Sequence, residues 1–269
     1  LNDSAADADL VIPRLGAAGF FRIGVPAAQG GSAGTTADAI EAIAAVAERS
    51  LTAAFVFWGQ RTFIEYLLHS PNAALRERHL PALLAGELAG ATGLSNAMKF
   101  LSGIESLSIG ATPVGDCWRL AGDLPWVTNL RRPGFAVAAA VQPVDGQPPA
   151  IVALFHDTPG LTRTDDLELL GLRGSNTAAI RIHDVASGPA DLIHADARGF
   201  IPAVRPAFLG LQCGMAIGLA RRALEEVQGH LHGRASFLDE ARQVLGARLE
   251  NTVSELKQGL LDERFKEQP

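Results

Sequence analysis

Hydrophobic positions along the chain change period twice, and those two changes define its organisation. Over residues 5–90 alanine-rich apolar positions recur every three or four residues, with breaks at Gly30-Gly31, Ser70-Pro71 and Gly86. This pattern predicts three to five helices. The first spans residues 5–18; Thr35 or Thr36 caps one over 37–49, and Asn72 caps one running through Leu84, each lending an oxygen to unpaired first-turn amides. Between residues 106 and 193 the period shortens. Segments 107–112, 118–121, 135–141, 151–156, 161–166 and 178–182 alternate or run apolar between Gly and Pro breaks, as in an antiparallel β-domain. After Gly199 the helical period returns over 202–232 and 236–261, each stretch long enough for a bundle element. Helices, then strands, then helices make an α+β protein and disfavour a doubly wound parallel sheet. The domains read as an N-terminal helical unit over 1–90, a middle β-domain over 91–195 and part of a C-terminal helical bundle over 196–269.

Composition narrows the function classes. With 48% hydrophobic and 19% charged residues in 269, the chain has material for a sizeable core. A net charge of −6 lacks the clustered Lys and Arg that displace counterions from a duplex, so nucleic acid is excluded as a partner. Cys117 and Cys213 are the only cysteines and stand far apart, which indicates neither disulfide nor metal cluster and makes a reducing, cytoplasmic setting the default. No apolar run approaches the roughly 20 residues of a membrane span, and no signal pattern opens the chain. Both ends look cut: the chain starts inside a helical pattern and stops at Gln268-Pro269 just after another.

Four segments carry candidate chemistry. Trp126-Val127-Thr128-Asn129 follows an alternating strand, so Trp126 and Thr128 project from one face, where an indole can cover a flat ring while a Thr hydroxyl or amide donates to its edge. Taken alone, a tryptophan in a β-domain more often fills the core. Gly90-Ala91-Thr92-Gly93-Leu94-Ser95 lies where helices give way to sheet, and its small residues permit a ligand to approach the backbone. Arg173, within Gly171-Leu172-Arg173-Gly174-Ser175-Asn176-Thr177, could hold an acid or a phosphate, although the segment by itself reads as a solvated turn. Arg234 could pair with a pyrophosphate beside Phe237, while Ser236 caps the helix that follows.

In this order and spacing the chain resembles the acyl-CoA dehydrogenases. Leu15-Gly16-Ala17-Ala18-Gly19-Phe20, Val25-Pro26 and Gln29-Gly30-Gly31 are similar to that family's opening, and Leu80-Pro81 with Gly86-Glu87 to the turn before its flavin loop. Residues 118–129 resemble its paired strands ending in Trp-Ile-Thr-Asn, and residues 171–177 with Asp184-Val185 its Gly-x-Arg-Gly-Ser stretch. The resemblance implies FAD held between a middle β-domain and a helical bundle, with Ser95 on the flavin pyrimidine edge and Trp126 and Thr128 in contact with the ring system. It implies that Arg234 and Phe237 reach the FAD of a neighbouring subunit in a homodimer or homotetramer, although Leu238 replaces the usual glycine. An acyl-CoA substrate, with Ser102 and Arg205 as its binding residues, and an electron-transfer partner are implied as well.

The pattern also departs from the family. Its flavin loop reads Thr-Glu-Pro followed by Gly-Ser; here residues 95–100 read Ser-Asn-Ala-Met-Lys-Phe, with Ser102-Gly103 later. Removing an α-proton while a hydride leaves the β-carbon requires a carboxylate base. One family position for that glutamate lies beyond Pro269, and the other is Val204 here, so the catalytic residue is unknown. Glu225 and Glu226 read as surface, His230 and His232 are at a spacing unsuited to a metal, and no Gly-x-Ser-x-Gly elbow supports hydrolysis. The expected activity is FAD-dependent dehydrogenation of an acyl-CoA thioester. The same fold could instead serve a flavin monooxygenase or oxidase, and retention of Trp126, Thr128 and Arg234 argues against a flavin-free paralogue.

Overall fold

The computed structural model describes residues 7–231, 237–262 and 264–265. Helices α1 (Ala8–Ala17), α2 (Thr36–Ala47), α3 (Leu51–His69) and α4 (Ala73–Ala85) precede the sheet. Asn72 caps its helix as expected, whereas at Thr35 the bond is the reverse one, from its own amide to the third helical residue. Asp38 accepts from the Thr35 amide at 2.7 Å, and Asn72 Oδ1 accepts from the Leu75 amide at 3.1 Å. Strands β1 (Ala89–Thr92), β2 (Ile109–Val114), β3 (Cys117–Val127), β4 (Phe135–Pro143), β5 (Ala150–Phe155), β6 (Leu161–Asp166), β7 (Ala178–Ser187) and β8 (Leu192–His194) form one sheet. Its order is β6-β7-β3-β2-β4-β5-β8, with β1 on β4. Helices α6 (Ala197–His230) and α7 (Leu238–Leu261) close the chain, and short α5 (Ser95–Leu101) lies between β1 and β2.

The sheet is mixed, which corrects the antiparallel expectation: β1 and β2 both pair with β4 in parallel, β1 along Phe135 to Ala138 and β2 at Gln142 and Pro143. The connection between β1 and β2 stays on one edge of β4 instead of forming a hairpin, so the two strands run the same way. Other differences are local. Residues 95–101 form a helical turn and not a loop, and α6 begins at Ala197, five residues before the expected start, because Asp196 accepts from the Arg198 amide at 2.9 Å. The expected Ser236 cap lies outside the described residues.

Alternation in β4 feeds two cores. Ala136, Ala138 and Ala140 pack against the helices, while Phe135, Val137, Ala139 and Val141 join Leu120, Leu124, Ile180 and Val185 within the curled sheet. Small alanines on the helical side let α3 lie close to the strands. That helix is buried nearly all round and carries polar groups into the interior, of which Gln60, Arg61 and Glu65 are paired. Arg61, fully buried, forms an ion pair with Glu65 at 2.5 Å and donates to Gly24 O at 2.9 Å, tying the N-terminal loop down. Gln60 Nε2 donates to Leu83 O and Leu88 O, both at 2.9 Å. Its Oε1 accepts from the Gly90 amide at 2.6 Å and from Asn129 Nδ2 at 3.1 Å.

Helix α6 meets α2 along Gly210, Gly214 and Gly218, one face at four-residue spacing. A Cβ on Gly218 would sit 2.1 Å from Ala44 O, and one on Gly214 2.7 Å from Ile40 O. Across the same junction Arg221 pairs with Glu41 at 2.7 Å and Glu250 at 2.9 Å, and Lys257 reaches Glu41 at 2.6 Å. By length and composition α6 could cross a membrane, with mean hydropathy 1.3 in its most apolar window, contrary to the expectation from uninterrupted runs. In the fold 44% of that window is buried against other elements, and Trp58 Nε1 donates to Phe208 O at 3.3 Å from α3.

Three outcomes are expected. Gly218→Ala should lower unfolding stability by about 1–3 kcal/mol through overpacking, whereas Gly229→Ala, with open space around its Cβ in the same helix, should raise it by up to about 1 kcal/mol in urea titrations. Gln60→Met should cost roughly 3 kcal/mol or more by stranding buried partners, and combining it with Asn129→Ala should be clearly less than additive. Hydrogen bonding from Arg221 is the chief cause holding both Glu41 and Glu250 below the usual carboxylate range. Their contribution is full above that range and is lost as pH falls through the lowered values, so Tm should fall more steeply in acid for wild type than for Arg221→Met.

Candidate functional site

The two parallel joins on β4 leave a break along its edge, between the end of β1 and the start of β2. Helix α5 and residues 102–108 bridge that break, and the end of β3 passes beside it. The result is a groove of about 510 Å³ lined by Gly93, Ser95, Asn96, Lys99, Glu105, Ser106, Ser108, Asp123, Leu124, Pro125 and Trp126. That volume is within the range of small-molecule and cofactor sites.

Trp126 stands at one wall. A register shift between β3 and β7, from Leu124 to Val127, re-aims the strand end; Val127 points into the sheet core, while the indole is 69% exposed. This removes the core-filling reading of that tryptophan. The next residues are fixed by Asn129, whose left-handed backbone (φ 68°) turns the chain and whose Nδ2 donates to Gly90 O at 2.9 Å. Its amide donates to Ser175 O at 2.9 Å. Thr128, half-buried, bonds through its hydroxyl to Thr177 Oγ1 at 3.0 Å.

Ser95 forms the opposite wall. It is exposed, and among the described residues its hydroxyl has no hydrogen-bond partner. Neighbouring Asn96 organises the rim: Nδ2 donates to Glu105 Oε1 and Ser106 O, both at 2.9 Å, and Oδ1 accepts from the Ser108 amide at 3.0 Å. Hydrogen bonding from Asn96, and then the Lys99 charge, holds the Glu105 carboxyl below its usual range. Behind Ser95, Tyr66 Oη bonds to Thr92 Oγ1 at 2.9 Å; burial pushes the Tyr66 phenol well above its usual range, so it stays neutral.

Several expectations change here. Of the glycines at the helix-to-sheet junction, Gly90 is a packing position, where a Cβ would meet Phe63 at 2.7 Å, whereas Gly93 lines the groove, where a Cβ would meet Leu124 at 2.7 Å. The segment 174–177 is buried rather than solvated, because α3 and α1 pack on it and Asn176 Nδ2 donates to Asp9 at 3.2 Å. Arg173 does remain exposed and donates to Leu169 O at 3.0 Å.

The structure thus brings Ser95 and Trp126 together; Thr128, just past the end of β3, is not part of the lining. It does not bring the other candidates to this groove. Ser102 donates its hydroxyl to Met98 O at 3.2 Å and is not part of the lining. Arg205 lines a separate cavity of about 220 Å³ between α6 and α7 with Pro206, Leu209, Gly210, Cys213, Leu256 and Phe265. Phe237 is 76% exposed where α7 begins, and Arg234 lies outside the described residues. Val204 is fully buried in the helical core. Glu225 and Glu226 both pair with Arg222, as surface residues should, and no metal-holding cluster occurs among the described residues. Sequence reasoning missed Asn96, Glu105, Ser106 and Ser108; their signal was a short polar run, Glu105-Ser106-Leu107-Ser108, immediately before a strand.

Comparisons with known proteins agree with this architecture. Residues 2–87 match the family described as acyl-CoA dehydrogenase, N-terminal domain. A Bacillus subtilis protein named "Probable acyl-CoA dehydrogenase YngJ" is 29% identical over 240 residues, covering 86% of this chain and 60% of its own length. The chain therefore spans 60% of that curated relative. Butyryl-CoA dehydrogenase from Megasphaera elsdenii superposes with a TM-score of 0.81 at 18% identity, over 94% of this chain and 70% of its own. The prolyl acyl carrier protein oxidase AnaB does so with a TM-score of 0.79 at 18% identity, over 93% and 71%. With its N-terminal helices matching that family's model and its order of helical and sheet layers shared with these structures, the chain has the acyl-CoA dehydrogenase-like fold.

Proposed function

We propose that this chain forms the cofactor-facing wall of an FAD-dependent oxidoreductase that carries out α,β-dehydrogenation of an acyl-CoA thioester. The observation that carries the reading is an exposed indole, Trp126, held on a rigid strand end across a groove from the unpaired hydroxyl of Ser95. A large aromatic surface left open beside polar groups suits a flat heterocycle with hydrogen-bonding edges, and these residues fit an isoalloxazine in that respect. FAD, when bound, supplies the hydride acceptor.

The remaining roles belong to the chain. Trp126 covers one face of the ring and keeps water off it. Ser95 donates to the ring's polar edge. Asn96 keeps the rim in place by joining α5 to Glu105, Ser106 and Ser108. The dehydrogenase reading carries with it a separate electron-transfer protein, a homodimeric or homotetrameric assembly and a cytoplasmic setting.

A second reading has its own support. Val204 occupies the position where the resemblance would place a carboxylate, and it is fully buried. Glu105, at the groove, is held in its charged form by Asn96 and Lys99, the opposite of the raised pKa that suits a general base near neutral pH. Both observations favour an oxidase or monooxygenase in which no α-proton need be removed by this chain, and the fold is shared with an acyl carrier protein oxidase.

The purified full-length protein should carry or take up FAD, shown by the visible absorption of oxidised flavin, and Trp126→Ala should weaken FAD binding roughly three- to tenfold, the worth of one aromatic stacking contact. Anaerobic bleaching by an acyl-CoA would support dehydrogenation; oxygen consumption only after reduction by an external donor would support the second reading. A colourless protein that does not bind added FAD would overturn both.

A further inference from the structure

Three of the residues that line the groove, Glu105, Ser106 and Ser108, stand on the segment that joins α5 to β2. That segment is fixed at its ends and untethered between them. At the first end α5 stops in a left-handed glycine: Gly103 (φ 70°) donates its amide to Phe100 O and Ile104 donates to Lys99 O, both at 2.9 Å, a closure that sets the direction in which the chain leaves the helix. At the second end Leu107 packs against the helical core, and β2 begins at Ile109, paired with Gly122 of β3. Between these ends nothing is buried. Residues 102–106 are exposed, Ile104 at 71%, and among the described residues the amides of Glu105 and Ser106 make no hydrogen bond to another backbone group.

One side chain holds the middle of this segment against the groove. Asn96 Nδ2 donates to Glu105 Oε1 and to Ser106 O, both at 2.9 Å, while its Oδ1 accepts from the Ser108 amide at 3.0 Å. Among the described residues the further tie is Lys99 Nζ, 3.5 Å from the Glu105 carboxylate. These bonds join groups that water can reach, so breaking them exchanges protein partners for water at small net cost. A stretch with few buried contacts and solvent-exposed bonds belongs to the low-stability end of a structure. Asn96 itself is carried by α5, whose Ala97 is buried in the helical core, so the segment and not its holder is the part that moves. Its release widens the groove, because Glu105 and Ser106 leave the wall together.

We propose that residues 103–106 form a strap that opens to admit the groove's ligand and closes on it, with the Asn96 carboxamide as its latch. In the reading of the groove as a flavin site, on which this inference rests, the ligand is FAD. Asn96 is a positioning residue, acting on access to the groove through Glu105 and Ser106.

The test uses the full-length protein and separates access from contact. A gate governs entry and exit alike, so Asn96→Ala should raise the association and dissociation rates of FAD together, each roughly three- to tenfold, the weight of one net hydrogen bond, and leave Kd within about twofold. A rim that only touches the ligand would change dissociation alone, so an unchanged association rate overturns the inference. Asn96→Asp, which keeps the acceptor for the Ser108 amide but sets a like charge against Glu105, should move both rates the same way. Adding Glu105→Gln, which gives that aspartate a donor, should bring both rates back toward wild type; should Asn96→Ala fail to fold, this pair decides. Without ligand, a glutamate-specific protease should cut after Glu105 roughly three- to tenfold faster in Asn96→Ala than in wild type, with other glutamates cut at unchanged rates. Equal cutting would mean that Asn96 does not hold the strap, which overturns the inference as well. A wild type that binds no FAD sinks the flavin reading, a result seen without any variant, and the cleavage rates then still decide whether Asn96 is the latch.

Discussion

The fold depends on a buried carboxamide contact between its two kinds of layer. Gln60, in the middle of α3, satisfies carbonyls from the turn after α4, the amide of Gly90 on β1 and the side chain of Asn129 past the end of β3. Apart from the part-buried Leu88 carbonyl, these groups lie where water cannot reach, so each bond is obligatory: an unmade one would cost the desolvation of its group without return. One side chain thereby fixes the helical layer, the first strand and the strand end that carries Trp126 relative to one another. The groove is a consequence, since its two walls are extensions of β1 and β3.

Around that contact, close approach is achieved by removing side chains. Alanines on the helical face of β4 and glycines on one face of α6 bring backbones together, and at Gly214 and Gly218 the neighbouring atoms leave no room for a larger residue. The ion pairs of Arg221 then lie across the α2, α6 and α7 junction, partly exposed, where they add to an interface already set by packing. The rigidity matters to function. An exposed indole such as Trp126 can orient a ligand only when its support does not move on the scale of a bond length.

The groove's chemistry is lopsided. It presents an aromatic face, serine hydroxyls and a rim organised by Asn96, all suited to holding and orienting a ring, but its nearest acid is stabilised in the charged form.

Much of the architecture was legible in the sequence because it rests on local periodicity. The change from helical to alternating spacing and back marks the layers, and Thr35 and Asn72 mark helix starts through hydrogen bonds within four residues. Of the site, the sequence singled out Ser95 and Trp126, which line the groove. What the tertiary structure alone decided is whatever depends on residues distant in sequence: the parallel joins of β1 and β2 on β4, the burial of 174–177 beneath α3 and α1, the filling of the Gly90 and Gly93 spaces by Phe63 and Leu124, and the separation of Ser102 and Arg205 from the groove. A short window of sequence records which face of an element is apolar, but which partner covers that face is a property of long-range packing.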